Sequence, residues 1–200
     1  MKKRILISNI TVAIVLIMAK PDSFTLFFFG IVFVFIGEFI RLIASAAIKK
    51  NRILATRGIY SVTRNPLYLG TSLIAFGTLI QICSVSHFCF TLFLWAVVIF
   101  VFSVIYYKTI KAEEKFLLSK FGEEYIHYCK NVPAILPNLK SLKNIKEIFK
   151  RENYSKEFFI KNKEYRGLTG VLIVEIIIFF KLCHICLIKI LKAPLFLDII

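Results

Sequence analysis

Residues Phe24–Ile48 read FTLFFFGIVFVFIGEFIRLIASAAI, and this run decides the fold class. It exceeds the roughly 20 residues a helix needs to cross a bilayer, and only Glu38 and Arg41 bring charge into it. On its N-terminal side Lys20-Pro21-Asp22-Ser23 makes a tight turn, because Pro21 forbids one helix continuous with the shorter apolar run Ile5–Ala19. On its C-terminal side the polar loop Lys49–Pro66 leads to a third apolar run, Leu67–Cys83. Ser84-Val85-Ser86 then turns the chain into a fourth, His87–Tyr107. A polar stretch, Lys108–Arg166, separates these from a fifth run, Leu168–Ile190, and a short apolar tail. The pattern predicts an all-α, polytopic membrane helix bundle with about five transmembrane spans. It forms one membrane domain over residues 1–200, with a core over 24–137, a basic segment over 138–166 and a last span over 168–190.

Composition agrees. Of 200 residues 58% are hydrophobic, 21 are Phe, and the mean hydropathy is +0.75. A soluble domain has roughly 45–50% apolar residues and could not bury so many continuous blocks. The net charge of +15 would suggest nucleic acid in a soluble protein. Here the basic residues alternate with Glu and lie between spans, so no nucleic-acid partner is expected. Three Lys or Arg occupy the N-terminal tip, five the loop 49–66 and fourteen the stretch 108–166, out of 27. These segments share one side if the spans pair as hairpins, which predicts a cytoplasmic N-terminus. Lys189 and Lys192 run against that pattern at the far end of the fifth span. Ile17 is too large for the −3 position of a cut after Ala19, so the first run reads as an uncleaved span. The lack of cleavage and retention signals points to a bacterial-type inner membrane.

Few residues offer chemistry. The five cysteines make no metal-ligand framework, and Cys183-His184-Ile185-Cys186 reads as small side chains packed between helices. No metal is expected. Glu38 and Arg41 lie at i, i+3 on one helix face, either as a structural ion pair or as a polar wall for a ligand. Glu175, Lys181 and His184 have no motif around them, and a lysine there can snorkel to the interface.

Two stretches say more. In Gly58-Ile59-Tyr60-Ser61-Val62-Thr63-Arg64-Asn65-Pro66-Leu67-Tyr68-Leu69-Gly70, Pro66 sets a helix start whose free N–H groups favour an anion. Arg64 can grip a carboxylate with two donors, and Gly70 lets a neighbour or a ligand approach. In the second stretch Ile110, Glu114, Leu117, Phe121, Tyr125 and Tyr128 follow a helical period, which places Glu114 on an apolar and aromatic stripe. A carboxylate there requires a cation or hydrogen-bond donors. Val132-Pro133-Ala134-Ile135-Leu136-Pro137 ends that helix at the membrane surface.

The order GxYxxxRNPLYLG, a two-span hairpin, and EEKFLLSKFGEEYIHYCKNVPAILP resembles the isoprenylcysteine carboxyl methyltransferase and phospholipid methyltransferase superfamily over Ile36–Pro137. The resemblance implies a methyltransferase that uses S-adenosylmethionine on a lipidic or lipidated acceptor. It implies cofactor binding by Arg64, Asn65, Tyr68, Gly70, Glu113, Glu114 and Tyr125, with Arg64 and Glu114 most directly engaged in catalysis. Asn65 stands where many relatives carry His, and an amide cannot act as a base near neutral pH. A positioning role survives there. Two other readings remain open from the sequence: a membrane sterol or steroid reductase using NADPH, whose turn is similar but continues with an acidic residue where this chain has Thr71, and a non-catalytic membrane scaffold.

Overall fold

A computed structural model describes residues 2–48, 53–84 and 86–192. The loop positions 49–52, Val85, the tail from 193 and the side chains of Lys189 and Lys192 lie outside the described residues, so the charge pattern read on them is not addressed. The described chain is helical: α1 (Lys2–Met18), α2 (Phe24–Ala47), α3 (Pro66–Gln81), α4 (Phe88–Asn131), α5 (Leu139–Leu142), α6 (Lys156–Asn162) and α7 (Tyr165–Lys192). Tight 3-10 turns at Gly58–Ser61, Ile145–Phe149 and Arg151–Asn153 link them, and no strand occurs among the described residues.

Three helices, α2, α4 and α7, are long and apolar enough to cross a membrane, while α3 and the apolar part of α1 are shorter. With 16 residues, α3 spans about 24 Å, less than the roughly 30 Å of a hydrocarbon core. Five apolar helices thus stand where five were expected, but two are short. Large apolar side chains such as Phe35, Phe100 and Phe180 point outward with more than half their surface exposed. In water such a surface would drive aggregation; in lipid it faces its natural solvent. This is an integral membrane helix bundle.

The helices alternate in direction. The ends of α1 and α3, the starts of α2 and α4, and the second half of α7 meet in one cluster: Val15, Phe27, Leu79, Val98, Ile178 and Leu182. The N-terminal tip, residues 53–66 and residues 132–164 therefore gather at the opposite, basic end.

α2 and α3 make the closest pair. Gly30 and Gly37 on α2, seven residues apart, face Gly77 and Gly70 on α3. A Cβ on Gly77 would fall 2.9 Å from Val34 Cγ2 and 3.0 Å from the Val34 nitrogen, so no larger residue fits without moving a helix. Of the two uses open to Gly70 in the sequence, the structure shows a neighbour: the Gly37 backbone lies against it.

One feature differs from expectation. The fourth run does not stop at Tyr107 but continues as helix to Gly122, about 50 Å from Phe88, and a second helical stretch runs on to Asn131. No Pro or Gly interrupts it before Gly122, whose φ of +50° makes a kink. Glu113 and Glu114 therefore ride on a rigid extension of a spanning helix. The basic segment 138–166 forms short helices and 3-10 turns folded onto the end of α2. There the Asn162 amide donates to the carbonyls of Ser45 (2.8 Å) and Ile48 (3.0 Å), and Ser155 N–H donates to Ala46 (2.9 Å). These bonds satisfy last-turn carbonyls that a helix leaves open. Lys181 Nζ donates to Leu16 O (2.6 Å) and Ile17 O (3.0 Å), capping the end of α1.

Candidate active site

The loop before α3 and the strip after α4 join at their backbones. Arg64 N–H donates to Pro133 O (2.9 Å), Asn65 Nδ2 to Ala134 O (2.9 Å) and Thr63 Oγ1 to Ile135 O (2.7 Å). Three successive residues of one motif thus bond three successive carbonyls of the other. The Tyr128 hydroxyl adds a bond to Tyr60 O at 2.6 Å. Pro66 opens α3 where its missing N–H is no loss. Asn65 precedes it without capping the helix, because its amide is committed to the strip.

This seam delivers the side chains. Arg64, 15% exposed, places Nη2 3.3 Å from Glu114 Oε1 and Nη1 3.4 Å from the Tyr125 hydroxyl, and also touches Cys129 Sγ. Its buried Nε has no partner. Glu114 also meets Lys111 at 3.7 Å. The Tyr68 hydroxyl donates to Glu113 Oε1 at 2.9 Å, and its ring packs edge-on against Tyr106, centroids 5.2 Å apart. Burial pushes the Tyr60 phenol up, with Glu113 and Glu164 adding to the shift, so it stays a neutral donor.

A cavity of about 1230 Å³ opens at this end, with Arg64, Asn65, Tyr68, Glu113 and Tyr125 in its wall. It continues between the helices past Leu16, Leu79, Val98, Val174 and Ile177. Pockets for one small molecule hold roughly 300–1,000 Å³, so this cavity has room for more. A shallower cleft of about 550 Å³ lies on the other side of Arg64, lined by Glu114, Lys111, Lys115 and Lys130. The two adjacent carboxylates thus face different spaces: Glu113 the cavity, Glu114 the cleft. Gly70 lies at the α2–α3 contact, outside the cavity wall.

Glu38 and Arg41 do pair, loosely, at 4.0 Å. Arg41 bonds more directly to Glu164 and to Thr71 Oγ1. Glu164 is a site residue that sequence reasoning missed. It lies in a run of mixed charge with no motif, and its only signal is its place just before the last apolar run. Tyr60, which lines the cavity, was likewise quoted in its motif without a role. Among the described residues no group of three or more His, Cys, Asp or Glu side chains is placed to hold a metal ion.

Residues 29–124 match the phospholipid methyltransferase family. A probable protein-S-isoprenylcysteine O-methyltransferase of Oryza sativa subsp. indica is 36% identical over 121 residues, covering 54% of this chain and 59% of that protein. The protein-S-isoprenylcysteine O-methyltransferase of Schizosaccharomyces pombe is 33% identical over 102 residues, 50% of this chain and 40% of its own. That of Rattus norvegicus is 28% identical over 127 residues, 57% of this chain and 42% of its own. The chain thus spans about 40–59% of the length of these relatives. No solved structure matches it. Over residues 29–124 the chain is thus similar to the phospholipid methyltransferase family and to the protein-S-isoprenylcysteine O-methyltransferases.

Proposed function

We propose that this protein is a membrane methyltransferase that uses S-adenosylmethionine to methylate a lipidic or lipidated acceptor, with its basic end in the cytoplasm. The observation that carries the reading is the meeting of Arg64, Tyr68, Glu113 and Tyr125 at the polar mouth of a cavity that continues past the apolar side chains of Leu79, Val98 and Ile177. The cofactor supplies an electrophilic methyl on a sulfonium. Its other groups are an α-carboxylate, an ammonium, two ribose hydroxyls and a purine, and the residues present fit that set. Arg64 has a buried Nε still to satisfy and would hold the carboxylate. Glu113 would accept from the ammonium or the ribose hydroxyls. Tyr68 and Tyr125 offer aromatic faces to a cation or to the purine.

The remaining groups align and exclude. Asn65 locks the loop to the strip and takes no proton. Glu114 balances Arg64 from behind, on the cleft side. The apolar walls keep water from the sulfonium and admit a hydrocarbon chain from the bilayer, so that orientation and desolvation carry the acceleration. The fourteen basic residues of 108–166 favour the cytoplasmic side for this end.

The test is equilibrium binding to the purified chain in detergent. S-adenosylhomocysteine is expected to bind and NADPH to leave it undisplaced; binding of NADPH alone would replace this reading with a reductase.

A further inference from the structure

An apolar surface stands outside the bundle, in a segment that the family match does not reach. Leu136, Leu139, Leu142, Ile145 and Phe149 recur every three or four residues just after the seam, and all five are exposed, Leu139 to 86% and Phe149 to 78%. The backbone beneath them is held firmly. Ser141 N–H donates to Asn138 Oδ1 (2.8 Å) and Asn138 N–H to Ser141 Oγ (3.1 Å), and Ser141 is fully buried. Ile148 turns inward onto Ala44, Ile59 and Tyr60, and its carbonyl accepts from the Tyr154 hydroxyl at 2.6 Å. One set of residues thus fastens the segment to the bundle, and a second set, large and apolar, faces out.

Height and charge say what covers it. Ala44, in the cluster that receives Ile148, comes twenty residues after Phe24, about 30 Å along α2 and so one hydrocarbon thickness from its start. The segment therefore lies where acyl chains give way to headgroups. Lys140, Lys143 and Lys146 are exposed and alternate with the apolar residues. The one acid of residues 136–149, Glu147, pairs with Lys150. Among the described residues no carboxylate pairs with Lys140, Lys143 or Lys146. Apolar side chains interleaved with lysines at this height match an interface in which lipid covers the first and anionic headgroups balance the second. A protein cover would have to bring acidic groups to a level that headgroups already occupy.

We propose that residues 136–149 dock on the membrane surface beside the spans, with their five exposed apolar side chains at the acyl-chain boundary and Lys140, Lys143 and Lys146 on the headgroups of anionic phospholipid. This rests on the cytoplasmic placement of the basic end, where the leaflet carries negative charge. The docked segment also backs the loop that carries Arg64. Asn144 Nδ2 donates to Ser61 O at 3.5 Å, Ile148 packs on Ile59 and Tyr60, and the carbonyls of 133–135 that hold Thr63, Arg64 and Asn65 lie directly before Leu136. Lipid surface and loop thus meet through one piece of chain.

The experiment uses the full chain in nanodiscs of dioleoylphosphatidylcholine and dioleoylphosphatidylglycerol. Trp95→Phe removes the single native indole and Phe149→Trp places one on the segment. Quenching by the brominated form of each lipid gives its relative association at position 149, and acrylamide reports contact with water. Bromolipid is expected to quench the new indole, acrylamide to quench it little, and phosphatidylglycerol to be preferred. Lys143→Gln and Lys146→Gln should each lower that preference, by up to about fivefold per lysine, the gain an anionic surface gives each basic residue. An indole quenched by acrylamide and not by bromolipid would overturn the proposal by placing the segment in water. An indole shielded from both marks a protein cover, a second copy included, and overturns it too. Equal quenching by the two lipids, whatever the lysines, removes the anionic partner and the proposal with it. Should Phe149→Trp misfold, Leu139→Trp reads the same surface and decides. None of these readouts needs the cofactor, so the methyltransferase reading, tested by nucleoside binding, stands or falls separately.

Discussion

The turns at the two ends of the bundle are built from similar residues and do different things. At the far end, Asp22 accepts from Ser84 Oγ at 2.8 Å and from Ser86 N–H at 3.2 Å, and Ser23 caps α2 through Leu26 N–H. These bonds close short turns and tie one helical hairpin to the next. At the basic end, Thr63, Arg64 and Asn65 reach a strip about 70 residues later in the chain. That seam leaves the buried Arg64 Nε without a hydrogen-bond partner beside a cavity. Bonds that only join one hairpin to the next mark a joint, whereas an orphaned guanidinium nitrogen in a cavity wall marks a place prepared for a ligand.

The contrast breaks most readily at its two acidic or basic anchors. Arg64→Ala should reduce methyl transfer at least about a hundredfold, as expected for losing charge-assisted bonds of roughly 1.5–3 kcal/mol each. Asp22→Ala should leave turnover within about twofold and lower the unfolding temperature instead; equal loss of turnover in both would erase the distinction. The α2–α3 contact supports both ends, so Gly77→Val should destabilise the fold by about 1–3 kcal/mol through overpacking, read as earlier thermal unfolding in detergent. A smaller effect is due at the seam itself. Thr63→Val removes the hydroxyl's bond to Ile135 O (2.7 Å) and its longer one to Ala134 O (3.4 Å), which costs about 1 kcal/mol and should appear as faster amide exchange in residues 133–136. The surface pair Lys150–Glu147 is half exposed on the lysine side, and Lys150→Ala should change neither unfolding nor turnover.

What the sequence disclosed follows from what is local. Apolar runs and turn residues located all five apolar helices, because a bilayer imposes length and composition on each separately. The loop motif and the acidic helix were visible as motifs, and Arg64 and Glu114 do meet. The division of labour between Glu113 and Glu114 was not visible: it depends on the rotation of α4, which runs unbroken from the bilayer and carries the two carboxylates to opposite sides of Arg64. Glu164 was silent because its partner, Arg41, lies 123 residues earlier. The partner of Lys181 was silent for the same reason, since the carbonyls it caps belong to α1, 164 and 165 residues before it. Gly70 carried two readings until the position of Gly37 selected one.

The central claim is that the loop before α3 and the extension of α4 hold one small molecule between them. Calorimetric titration of S-adenosylhomocysteine into the purified chain and into Arg64→Ala, Glu113→Gln and the double variant tests it most directly. Each single change should weaken binding at least about tenfold, and the double variant should show the two losses combined in a single weakened site. Parental affinity in both single variants would contradict the account, because neither motif would then be touching the ligand.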